Sequence, residues 1–132
     1  MDKTRPGYDA EMWEAQYRIE PEKGFFEIYG RSVEEPHKVL QPLLEAFEER
    51  LHKPSGEITF NFKMSFFNTE TTRIFLTILE KLKRYQAQMN GQVVINWYYA
   101  EDDEEMLQSG NEFSEVVEMP FNYTPISENE GV

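Results

Sequence analysis

The sequence predicts a single-domain α/β fold, a mixed β-sheet of four to six strands with two longer helices and one short helix packed largely on one side. Three stretches carry that reading. Residues 57–66, EITFNFKMSF, set Ile58, Phe60, Phe62, Met64 and Phe66 on one side of an extended chain and Thr59, Asn61, Lys63 and Ser65 on the other. From Thr69 to about Met89 the apolar spacing becomes helical, and from Gln92 to Tyr99 it returns to alternation. Strand, amphipathic helix, strand is the pattern of a right-handed parallel crossover. A chain of 132 residues has room for one core, and an apolar share of 39% with 14% aromatics supplies it.

The elements follow in order. Residues 1–10 and 125–132 are polar, rich in turn formers and aperiodic, and read as tails around a domain of residues 11–124. MWEAQYRI, residues 12–19, reads as a first strand, and Lys23-Gly24 turns the chain into FFEIYG, Phe25 to Gly30, to make a hairpin. Ser32 and Glu35 have capping-box spacing, after which Leu40, Leu43, Leu44, Phe47 and Leu51 recur on one helical face. Pro36 suits the first turn of that helix. Pro42 removes a backbone donor and crowds the carbonyl four residues back, so it marks either a kink or the true helix start. The polar side of residues 57–66 argues against helices on both sheet faces. In the long helix Ile74, Phe75, Ile78, Leu79, Leu82 and Tyr85 or Gln86 form the buried stripe, and Asn90-Gly91 stops it. Val93, Ile95, Trp97 and Tyr99 then alternate with Val94, Asn96 and Tyr98. Asp102 and Glu105 have capping-box spacing for a short helix through Met106, Leu107, Gly110 and Phe113, and Val116 to Phe121 reads as a final short strand.

Composition removes several functions. Thirteen Lys and Arg against 25 Asp and Glu give a formal charge of −12, which disfavours binding to a nucleic-acid backbone. Without cysteine there is no disulfide, thiol nucleophile or thiolate metal site. No run approaches the roughly 20 apolar residues of a membrane span, and Met1 to Ala10 lack the apolar core of a signal peptide. The expectation is a cytoplasmic protein that neither enters membranes nor binds nucleic acid. His37 and His52 are the only histidines and lack metal-site spacing, so they read as surface or boundary residues. No GxSxG elbow, Walker loop or GxGxxG turn is present. The acidic run Glu101 to Glu105 lacks the pattern of a calcium loop and reads as charge complementing a helix N-terminus. Neither a cofactor, a metal nor a catalytic residue is expected.

Two places remain. Asn68-Thr69-Glu70-Thr71-Thr72-Arg73 joins the best strand to the long helix, and capping by Asn68 or Thr69 accounts for its composition. The same place suits a phosphate, which on one of the threonines carries about −1.5 to −2 charges and can accept bonds from helix N-terminal amides. Arg73 lies one turn beyond Thr69, while Glu70 opposes the added charge locally. The other place is Trp97, Tyr98, Tyr99 and Asp102, gathered where a parallel strand ends, as a small acidic enzyme or metabolite-binding domain requires. Core packing accounts for Trp97 and Tyr99 equally well.

FNFKMSFFNTETTR, with the following helix and INWYYAEDDEEMLQSGNEF, resembles the SiaC family of bacterial regulatory phosphoproteins over about Glu27 to Phe121. The resemblance rests on IYGRS at Ile28 to Ser32, Pro42-Leu43-Leu44, FFNT at Phe66 to Thr69, NWYY at Asn96 to Tyr99, the acidic turn ending at Met106, then Gly110, Phe113, and MPF at Met119 to Phe121. It implies a STAS-like layered architecture, related to anti-sigma-factor antagonists, in a non-catalytic cytoplasmic partner-switching protein. The threonine of its NT motif, Thr69 here, is phosphorylated by a partner kinase and dephosphorylated by a PP2C-type phosphatase. The unmodified form binds an effector, a diguanylate cyclase in the best-known branch, which links the module to cyclic di-GMP. Asn68, Thr71, Thr72 and Arg73 surround Thr69 as the partner-binding surface by proximity. Where the family carries serines and a lysine after NT, this chain has Glu70, Thr71, Thr72 and Arg73. A Pro-Glu-Asn is replaced by Glu34-Glu35-Pro36, and a helix tryptophan by the region of Ala46. These departures bear on partner choice.

Overall fold

A computed structural model describes residues 15–32 and 34–127. Five strands form one sheet in chain order: β1 (Ala15–Glu20), β2 (Phe25–Ser32), β3 (Glu57–Phe67), β4 (Gln92–Ala100) and β5 (Asn122–Ile126). β1 runs antiparallel to β2, and β2 to β5 are mutually parallel. α1 (Pro36–Val39) and α2 (Gln41–Leu51) carry the chain from β2 to β3, α3 (Thr69–Gln88) from β3 to β4, and α4 (Glu104–Val117) from β4 to β5. Right-handed crossovers that each advance one strand in the same direction must leave their helices on one face of the sheet. The result is the expected single α/β domain with a mixed sheet and STAS-like layering.

Alternation in the strands supplies the core under the helices. Phe26, Ile28, Ile58, Phe60, Phe62, Met64, Ile95 and Trp97 are buried, and α3 covers them with Ile74, Phe75, Ile78, Leu79, Leu82 and Tyr85. Phe26, Phe47, Phe60, Phe62, Phe75, Trp97 and Phe113 form a continuous chain of ring contacts with centroids 4.9 to 5.8 Å apart. The hairpin turn at Gly24 requires glycine, since φ is +70° and a Cβ would collide with the Glu57 carbonyl oxygen.

The other face carries a polar row that crosses all five strands. Arg18 donates to Glu27 Oε2 at 2.6 Å, Asn61 Nδ2 to Glu27 Oε1 at 3.0 Å, Asn96 Nδ2 to Asn61 Oδ1 at 2.8 Å, and Asn122 Nδ2 to Asn96 Oδ1 at 3.1 Å. The hydrogen bond and charge of Glu27 hold the Arg18 guanidinium above its ordinary pKa. Glu27 is buried, and among the described residues its carboxylate is engaged by Arg18 and Asn61.

Several boundaries differ from the sequence expectation. Met64 pairs with Gly30 but Phe66 with Arg31, so Ser65 is an extra residue in β3. This bulge inverts the alternation. Phe67 turns inward to meet Phe75 and Phe113 at 5.2 and 5.9 Å, while Phe66 is 42% exposed beneath the Arg31 guanidinium. Ser32 does not cap a helix, because β2 continues pairing through it to Phe67. Glu35 precedes α1 with φ of 42° and no side-chain cap bond, and Pro42 falls in the first turn of α2, where it has no helical donor to lose. Pro42 therefore marks the true start of the main helix. The cap of α4 is Asp103, whose carboxylate accepts from Met106 N, because a turn from Ala100 displaces Asp102 from that position. α4 continues to Val117 and leaves Val116 exposed, so the last strand begins at Asn122 and includes Pro125 and Ile126. Pro125 is tolerated because β5 is an edge strand. Residues 1–10, read as a tail, and 12–14, read as the start of the first strand, lie outside the described residues.

Candidate functional site

β3 passes into α3 through one residue, Asn68, and that residue organises the junction. Its Oδ1 accepts from Thr71 N at 3.0 Å and from the Thr71 hydroxyl at 2.9 Å. With its proton committed there, Thr71 Oγ1 is the acceptor for the Ser32 hydroxyl at 2.7 Å. Thr72 Oγ1 donates to the Asn68 carbonyl at 3.1 Å. Ser32 from β2 and the start of α3 are thereby joined by a relay that runs Ser32 to Thr71 to Asn68.

This relay separates the threonines. Thr71 is wholly buried and belongs to the support of the helix rather than to a surface that a partner touches, which corrects the expectation placed on it. Thr69, the first residue of α3, is exposed and stands outside the relay. Arg73 is exposed one turn further on, and Asn68 and Thr72 are half-buried. Glu70 does not simply oppose charge near Thr69. Its Oε2 lies 2.9 Å from His37 Nδ1, so it is engaged by α1. The sequence could not supply that contact, since His37 and Glu70 are 33 positions apart and neither belongs to a recognisable motif.

A groove flanks each side of α3. The one between α2 and α3, about 340 Å³, has Leu44, Phe47, Ile74 and Ile78 in its lining, with Arg73 and Lys81 among its charged residues. The one between α3 and α4, about 210 Å³, is lined in part by Phe67, Leu76, Phe113 and Val116. Lys81 is paired with Glu48 at 2.6 Å, whereas Arg73 forms no ion pair among the described residues.

The second candidate set does not come together. Trp97 is buried, with its indole N–H donating to the Met106 carbonyl at 2.9 Å and its ring against Gly110. Tyr98 lies on the opposite sheet face, under the Lys63 ammonium at 5.4 Å, and Asp102 is on an exposed turn. Alternation along β4 forces Trp97 and Tyr98 apart. Among the described residues no group of three or more His, Asp or Glu side chains is placed to hold a metal ion, and no helix is long and apolar enough to cross a membrane.

The site is thus a one-sided α/β layer with an exposed threonine at a hydrogen-bonded strand-to-helix junction, beside two grooves lined in part by apolar side chains. The chain belongs to the SiaC family: the model of the SiaC family regulatory phosphoprotein matches residues 12–126. It is accordingly a member of a family of regulatory phosphoproteins. Among solved structures, it is similar to a chain of the complex of diguanylate cyclase SiaD with its activator SiaC from Pseudomonas aeruginosa. The TM-score is 0.77 at 19% identity, with 95% of this chain and 100% of that one covered. It is also similar to apo-SiaC from the same organism, with TM-score 0.72 at 17% identity over 91% of this chain and 95% of that one. Among curated proteins none matches.

Proposed function

We propose that this chain is a cytoplasmic signalling phosphoprotein whose binding to an effector is set by reversible phosphorylation of Thr69, with a partner kinase adding the phosphate and a PP2C-type phosphatase removing it. The observation that carries the reading is the division among the threonines. Thr71 and Thr72 have their hydroxyls committed to the Asn68 junction, while Thr69 is exposed on the first turn of α3. A phosphate there adds about −1.5 to −2 charges at the positive end of a helix dipole, so it changes the surface without opposing the helix. Asn68, Thr72 and Arg73 then form the rim that a partner reads, and Thr71 holds that rim in place from beneath. The effector is a diguanylate cyclase on this reading, supported by the fold shared with the activator in the Pseudomonas aeruginosa complex.

The test is peptide mass spectrometry of the protein recovered from its native cells under several growth conditions. Condition-dependent phosphate on Thr69 is expected, lost in Thr69→Ala, and Thr69→Glu weakens retention of the cyclase. Phosphate confined to another residue, or equal retention of the cyclase by Thr69→Ala and Thr69→Glu, sinks the proposal.

A further inference from the structure

We propose that Arg73 is the receptor for the Thr69 phosphate, so that modification is read as withdrawal of this guanidinium from the groove between α2 and α3. The inference rests on Thr69 being the modified residue. Several donors near Thr69 are already committed. The Thr71 amide is held by Asn68 Oδ1 at 3.0 Å and the Thr72 amide by the Asn68 carbonyl at 3.0 Å, so two groups of the helix's first turn are spent on the cap. The imidazole of His37 faces the Glu70 carboxylate at 2.9 Å, and Lys81 faces Glu48 at 2.6 Å. Arg73 is exposed, lines the groove with Phe47 and Ile74, and has no carboxylate partner among the described residues.

Spacing and chemistry then favour Arg73. An anion four residues N-terminal to a cation is the favourable orientation on a helix, and a guanidinium fork matches two phosphate oxygens. Once drawn toward Thr69, Arg73 leaves a groove whose other cations are already paired. The groove loses its uncommitted positive charge while about −1.5 to −2 charges arrive beside it. An acidic partner surface loses its counter-charge in the same step.

The test uses full-length protein with phosphothreonine installed at position 69 by codon suppression, so no kinase is needed, and follows the phosphate by phosphorus-31 NMR as pH is varied. The second phosphate pKa is expected to be about 0.3 unit higher in Arg73→Gln than in the parent phosphoprotein, the size of an exposed helical ion pair. That difference shrinks in high salt. Arg73→Lys recovers part of it, His37→Gln leaves the phosphate titration unchanged, and the Arg73 Nε–H resonance moves on phosphorylation. Equal titration in the parent and Arg73→Gln proteins, or a shift caused by His37→Gln in place of Arg73→Gln, overturns the proposal. Absence of phosphate at Thr69 in native cells counts against the switch itself, and the two failures are separately visible.

Discussion

Replacing Thr71 by Val tests how the junction beneath Thr69 is held. The change keeps the shape and both branches of a wholly buried side chain but deletes its hydroxyl. Two hydrogen bonds go with it, the one to Asn68 Oδ1 at 2.9 Å and the one from Ser32 Oγ at 2.7 Å. Asn68 Oδ1 keeps the Thr71 amide, so its loss is partial. Ser32, 1% exposed, is left with a donor facing a methyl group. A net loss of about 1 kcal/mol for the bonds and about 1–2 kcal/mol for the stranded donor gives roughly 2–3 kcal/mol in all. For a domain of this size, that lowers Tm by roughly 8–12 °C. Ser32→Ala removes the stranded group, so the double variant is no less stable than Thr71→Val alone, and the two sites couple by about 1–2 kcal/mol. Urea denaturation of the four proteins, with an unchanged m value, measures the cycle. Strict additivity of the two substitutions refutes the relay, as does a Thr71→Val protein as stable as the parent.

The bulge at Ser65 makes neighbouring phenylalanines unequal: Phe67→Ala costs about 3–5 kcal/mol in urea denaturation, and Phe66→Ala less than about 1 kcal/mol. Equal costs contradict the inverted alternation. In Gly110→Ala the new methyl lies 2.6 to 2.8 Å from Trp97 ring atoms, so the protein loses about 1–3 kcal/mol and the Trp97 fluorescence maximum moves. Unchanged fluorescence and stability rule out that contact. Burial raises the pKa of Tyr123 above the tyrosine value of 10.0, with a Ser114 hydrogen bond working in the opposite direction. The fold prefers the protonated phenol, so its contribution to stability is complete below pH about 10 and is lost as pH rises through the folded pKa. The ultraviolet titration difference between parent and Tyr123→Phe should show a phenol ionising above 10, and ionisation at or below that value refutes it.

Periodicity made the central crossover legible because β3, α3 and β4 each bury one face against a single core, and burial imposes spacing on the sequence. The buried stripe of α3, Ile74 through Tyr85, is recovered residue by residue. Legibility failed where one local event resets the phase. The extra residue Ser65 moved Phe66 outward, and a turn at Ala100 transferred the cap from Asp102 to Asp103. Ser32 illustrates the other failure. Its spacing to Glu35 fits a cap, but its hydroxyl is used by Thr71, 39 positions away, through strand pairing that no short window contains. At the candidate site the sequence located Thr69 and its neighbours but could not tell a buried threonine from an exposed one, because Thr69 and Thr71 differ only in how the helix is rotated against β2.

That rotation bears on how the junction would accommodate the proposed charge on Thr69. A helix N-terminus usually leaves amides in need of an acceptor, and a phosphate arriving there can reorganise the turn. Here Asn68 already holds the Thr71 amide, and Ser32 and Thr71 fix Asn68 from the core side. On the proposed reading, these bonds let the first turn of α3 keep its geometry when Thr69 is phosphorylated. The opposite sheet face contributes in the same sense, because the row from Arg18 to Asn122 ties all five strands together by side-chain hydrogen bonds. If the proposed modification occurs, the change then falls on the exposed side chains of Arg73 and its neighbours beside the groove. On the proposed reading, a partner would distinguish the two states by charge and hydrogen-bonding pattern over one helical turn. Amide hydrogen exchange makes this concrete: phosphothreonine at position 69 should leave protection along α3 and β3 unchanged, and loss of protection at Thr71 or Thr72 would mean that the switch works by unwinding the helix.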